Sequence, residues 1–121
     1  MHLNIAKEFL KGAEVALANE LYRVAAANAY YAMFWAAQAA LRQVGAVCEE
    51  WSHGGLQYTV GLELIKKRAI LARQMGEWFA ATYDLRRKAH YDADGVGAKV
   101  TRRTVQHARE FLAKVEEVMG K

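Results

Sequence analysis

The chain has 121 residues, no proline, one cysteine, a formal net charge of +4 and 54% apolar residues. That length suits one domain, residues 1–121, with a real core, and the missing proline beside much Ala, Leu, Glu, Lys and Arg points to an all-helical fold. A single cysteine, Cys48, excludes an internal disulfide and fits a reducing cytoplasm, and its neighbours Glu49 and Glu50 offer no cation to activate a thiolate.

Residues 3–18 predict a first helix. Leu3, Ile5, Ala6, Phe9, Leu10, Ala13, Val15, Ala16 and Leu17 form its apolar face, with Lys7, Glu8, Lys11 and Glu14 outside. This N-terminus is amphipathic and has no signal-peptide pattern, so a cytoplasmic protein with no membrane partner is expected. Asn19-Glu20 marks a short break, so the first two helices should form an antiparallel hairpin.

The second helix runs to about Val44, where Gly45 suits the left-handed position that ends a helix. It contains residues 24–41, VAAANAYYAMFWAAQAAL, in which only Asn28 and Gln38 are fully polar. A helix apolar on every side must be surrounded, and the tyrosines and both amides argue for protein rather than lipid around it. It should be the central helix, with enough apolar face to serve a second subunit. Asn28, Tyr31, Trp35, Gln38 and Arg42 fall within roughly a quarter turn of it. Two readings of that polar-aromatic stripe stay open: amides satisfied by neighbouring helices, or the lining of a cleft.

Residues 46–55 are an irregular loop in which Ser52 can cap the next helix and His53 is exposed enough to titrate or bind an anion. A third helix is expected over 56–68, a bend at 69–72, and a fourth helix over 73–91 with Met75, Phe79, Thr82, Leu85 and Ala89 inward. DADGVGAKV, 92–100, is a turn region without the downstream glutamate of a calcium loop. Thr101 is the expected N-cap of a fifth helix with Val105, Ala108, Leu112, Val115 and Val118 as its stripe. The result is an up-and-down bundle of four long helices and a shorter one.

Charge is unevenly placed. Residues 1–85 hold eight basic and eight acidic groups, whereas 86–121 hold nine basic and five acidic, so the whole excess is C-terminal. Such a region can attract nucleic acid or phosphate, or simply solvate a helix face. The fourth helix carries the one suggestive constellation. Tyr83, Arg86 and His90 share a face, and Arg87 and Tyr91 lie beside them. Arginine binds phosphate through its planar fork and histidine moves a proton near neutral pH, a minimal kit for phosphodiester chemistry in which an RNA 2′-hydroxyl would be the nucleophile. The competing reading pairs Arg86 with Asp84 or Glu77 at a charged helix end. His2, His53, His90 and His107 show no metal-ligand spacing, and no dinucleotide or phosphate-loop motif occurs, so no metal or other cofactor is expected.

Taken together, AANAYYAMFWAAQAALRQVG, SHGGL and LRRKAHYD make the chain resemble the HEPN domain superfamily, specifically its short stand-alone members, over nearly its whole length. The resemblance implies a helical bundle that forms a homodimer with an Arg/His face at the cleft between subunits. It implies binding of RNA or nucleotide there, and a nucleotidyltransferase-like partner in a toxin–antitoxin pair. Some members are metal-independent endoribonucleases and others silent binding subunits. By the same resemblance Arg86 matches the signature arginine, and His90 stands where the short members usually have Asp. Tyr91, Asn28 and His53 match the signature tyrosine, the polar position of the central helix and the turn histidine. With the helical spacing of Tyr31, Tyr83 and Arg87, the expectation is a catalytic pair Arg86 and His90 and a binding site of Asn28, Tyr31, His53, Tyr83, Arg87 and Tyr91. Only three residues separate Arg86 from His90, fewer than the catalytic pattern of the superfamily has.

Overall fold

A computed structural model describes residues 2–120. The described chain is all helical: α1 (His2–Ala18), α2 (Tyr22–Gln43), α3 (His53–Thr59), which continues into a π-helical segment (Val60–Lys67), α4 (Arg73–Tyr91) and α5 (Ala98–Met119). The expected count of four long helices and a shorter one holds.

α2 is the axis of the bundle and packs on α1, α4, α5 and the 53–67 segment. Its composition explains how one helix serves so many neighbours. Ala25, Ala26, Ala29, Ala32, Ala36, Ala37, Ala39 and Ala40 are buried, and such small side chains let other helices approach on several sides. The larger neighbours then fill the remaining space: Phe79 from α4, Phe111 and Leu112 from α5, and Leu56 and Leu64 from the 53–67 segment are buried around Met33 and Leu41.

The hairpin between α1 and α2 turns at Glu20, which takes a left-handed φ of 61°, and the Leu21 N–H closes it onto the Ala16 carbonyl at 2.8 Å. Gly45 ends α2 with φ 84°, as its position in the sequence suggests. The bend expected at 69–72 is also present, with Ala69 left-handed at φ 50° and the Ile70 and Leu71 N–H groups both on the Leu64 carbonyl.

Three details differ from the sequence expectations. The third helix begins at His53, because Ser52 accepts the Gly55 N–H at 3.0 Å and so places both glycines inside the first turn. Its second half widens into π geometry, which periodicity does not register. Thr101 is not the cap of α5. Gly97 is, and Thr101 lies buried one turn in, its hydroxyl donating to the Gly97 carbonyl at 2.7 Å.

The polar-aromatic stripe of α2 lies along α1 and does not line a closed cavity. Tyr31 meets Phe9 with ring centroids 5.3 Å apart and Trp35 stacks on His2 at 5.4 Å, while Arg42 is exposed. No helix among the described residues is long and apolar enough to cross a membrane.

Candidate functional site

Three elements converge beside the middle of α2. Tyr30 and Tyr31 come from α2, His53 and Gln57 from the first turns of α3, and Phe79, Tyr83 and Arg86 from α4. The Ser52 cap starts α3 at His53, and the helix then sets Gln57 one turn further along the same face. Its amide oxygen meets His53 Nε2 at 2.9 Å, so that nitrogen donates, and Nδ1 is left to accept the Tyr30 hydroxyl at 3.0 Å. The imidazole also stacks on Tyr83, with centroids 3.6 Å apart and planes 7° from parallel.

His53 is therefore not the exposed titrating group that its glycine-rich loop suggests. It is half-buried with both ring nitrogens engaged. Burial pushes its pKa below the ordinary value, with Arg86 adding to that against the opposing influence of Gln57 and Asp84. Burial likewise pushes the Tyr30 phenol up, so the hydroxyl keeps the proton it donates. His53 is a brace between α2, α3 and α4.

The brace supports Arg86. Its guanidinium carbon lies 5.3 Å from the Tyr30 ring centroid, 5.5 Å from that of Tyr31 and 5.7 Å from that of Tyr83. Each ring within about 6 Å can contribute about 0.5–2 kcal/mol of cation–π attraction. Neither Asp84 nor Glu77 pairs with it. Its Nε is buried without a hydrogen-bond partner, so the cation is positioned by aromatic faces, and among the described residues no carboxylate forms an ion pair with it. Arg87 adds a second cation, 6.0 Å from the Tyr83 ring on the exposed side.

Tyr31, His53, Tyr83, Arg86 and Arg87 thus come together, and the remaining candidates lie elsewhere. His90 is one turn past Arg86, exposed, without a hydrogen bond to it, and Tyr91 beside it is 82% exposed. Asn28 packs over α1, where a Cβ added to Gly12 would stand 3.0 Å from its amide nitrogen. Tyr30, Gln57 and Phe79 belong to the cluster although they were not among the expected site residues: Tyr30 lies in the tyrosine motif of α2 and Phe79 on the inward face of α4. The four-residue step from His53 to Gln57 and the hydroxyl of Tyr30 in an otherwise apolar run were the available signals. Among the described residues no three His, Cys, Asp or Glu side chains gather as metal ligands do.

A sequence profile of the HEPN domain matches residues 1–120. The chain belongs to the HEPN domain family. A protein of Methanocaldococcus jannaschii named "Putative toxin MJ0605" is 28% identical over 117 residues, which cover 97% of this chain and 85% of that protein. In this HEPN domain Arg86 of α4 is the cation held among the tyrosines, and His90 is an exposed residue at the helix end.

Proposed function

We propose that this HEPN protein is the toxin-type member of a toxin–antitoxin pair: a cytoplasmic homodimer that binds RNA at an intersubunit cleft and cleaves it without a metal. The observation that carries this is Arg86, a cation buried at Nε, ringed by three tyrosines and, among the described residues, paired with no carboxylate. A bulky anion such as a phosphodiester would supply the missing negative charge, and the planar guanidinium fork can grip two of its oxygens. His90 lies on the same face of α4, one turn closer to solvent, where a phosphate held by Arg86 would approach it.

In this mechanism the RNA 2′-oxygen attacks the adjacent phosphorus and the 5′-oxygen leaves, which gives a 2′,3′-cyclic phosphate and a free 5′-hydroxyl. One His90 takes the 2′-hydroxyl proton, and the His90 of a second copy across the cleft gives a proton to the leaving oxygen. Arg86 stabilises the charge that builds on the phosphoryl oxygens. Tyr91, exposed beside His90, offers a face for a base, and Arg87 a further phosphate contact. The partner is a nucleotidyltransferase-like protein, as the family resemblance implies; the name of the M. jannaschii relative bears on the toxin role alone.

The test is cleavage of a mixed RNA pool in EDTA by the purified protein, with His90→Ala beside it. Cleavage lost in the variant supports the reading. A second reading, a silent binding subunit, draws on the absence of a hydrogen bond between His90 and Arg86 and on their short separation. It predicts an intact dimer that binds RNA and leaves it uncut.

A further inference from the structure

The last turn of a helix leaves carbonyls without partners inside the helix, so a residue presented there keeps its place only if something outside holds the turn. His90 is the penultimate residue of α4, and its alignment with Arg86 lasts only while that turn stays helical. The Lys88 carbonyl takes the Asp92 N–H at 2.9 Å. The Ala89 carbonyl is satisfied from a different element: Arg23, in the first turn of α2, donates to it from Nη1 at 2.7 Å. Through Nη2 the same guanidinium donates to the Ala93 carbonyl at 3.0 Å. The two carbonyls bracket His90, Tyr91 and Asp92 along the chain.

The turn that follows is shaped to reach this guanidinium. The Asp94 N–H donates to Asp92 Oδ1 at 2.9 Å and the Gly95 N–H to the Asp92 carbonyl at 3.1 Å. Gly95 has φ 80°, which favours glycine, and a Cβ there would stand 3.2 Å from Arg23 Nη2. A cation against the last carbonyls also meets the negative pole of the helix.

We propose that Arg23 is a positioning residue: its guanidinium, bonded to the carbonyls on either side of residues 90–92, holds the end of α4 so that His90 faces the phosphate bound by Arg86. The inference rests on the proposed function and extends it to a residue on another helix that never touches RNA. Arg23 acts through the backbone alone.

The experiment measures kcat and KM separately, in EDTA, for the parent, Arg23→Ala, Arg23→Lys and Gly95→Ala. Arg23→Ala lowers kcat on the order of ten- to a hundredfold, the effect of a displaced catalytic group, and leaves KM within about twofold. Arg23→Lys keeps the charge but reaches one carbonyl at a time, so its kcat falls between the two. Gly95→Ala, which crowds the guanidinium from the other side, shows the same loss in kcat alone and serves if Arg23→Ala does not fold. A parent-like kcat in Arg23→Ala, or a raised KM with kcat unchanged, overturns the proposal. If the parent cleaves no RNA, the proposed function fails by itself and the NMR signal of the His90 imidazole decides the role of Arg23. That signal should broaden or split in Arg23→Ala while the indole signals of Trp35 and Trp51 stay unchanged, whereas an unchanged His90 signal overturns the proposal.

Discussion

The two ends of the candidate site are built by opposite means. Arg86 is framed by three tyrosine rings, of which Tyr30 is fixed through His53 and Gln57 to a third element and through Phe79 to the core, and Tyr83 stacks on the same His53. His90, one turn along the same helix, stands in solvent, and its position depends on backbone bonds at the helix end. A binding group gains from such rigidity because less ordering is left for the moment of binding. A proton-transfer group, the role proposed for His90, must be reachable by substrate, and His90 is exposed. Under the proposed function, grip falls to the locked region and chemistry to the exposed one.

The contrast can be broken first through stability. Phe79 is fully buried and joins the tyrosine frame to Phe111 in the core, with ring centroids 5.9 Å from Tyr30 and 6.1 Å from Phe111. Phe79→Ala should lower unfolding free energy by about 3–5 kcal/mol in a urea titration, whereas Tyr91→Ala should stay within about 0.5 kcal/mol. Equal losses would erase the distinction between the two regions.

Tyr30→Phe is gentler. It keeps the ring beside Arg86 and removes the hydroxyl that His53 Nδ1 accepts, so about 1 kcal/mol of stability should be lost, with RNA affinity changed little. A large loss of affinity with stability intact would mean that the hydroxyl itself meets the ligand.

The smallest effect is that of pH. Burial lowers the pKa of His53, and likewise of His107, below the ordinary 6.5, so the folded chain keeps both neutral where the unfolded chain begins to protonate them. Stability is then full above 6.5 and falls as pH drops from 6.5 toward the folded values, because the unfolded state binds the extra protons. Urea midpoints taken along that range should fall toward acid, and His53→Asn should flatten part of the slope. A slope rising toward acid would contradict the buried, neutral His53.

Much of the fold was legible because helices declare themselves by period and punctuation. α4 begins and ends where its apolar spacing and the flanking turns say, and Gly45 ends α2 as a glycine should. The π widening was not legible, since apolar periodicity does not distinguish π from α geometry in 60–67. Thr101 misleads because a threonine near a helix start can serve either as cap or, as here, as a buried residue bonding back to the carbonyl four residues earlier. The site was half legible. Arg86 and Tyr83 declare themselves by helical spacing, but the burial of His53 depends on Tyr30 and Gln57 meeting it in space. A histidine before two glycines looks exposed until the helix that begins with it is seen.

The measurement that tests this division of labour most directly is binding of an RNA whose cleavage is blocked by 2′-O-methylation, read by fluorescence anisotropy for the parent, Arg86→Ala and His90→Ala. The account predicts that Arg86→Ala weakens binding on the order of tenfold or more, as loss of a charge-assisted phosphate contact should. It predicts that His90→Ala binds as the parent does and, with unmodified RNA, no longer cleaves it. Parent-like binding by Arg86→Ala, or an equal loss of binding in His90→Ala, would contradict it.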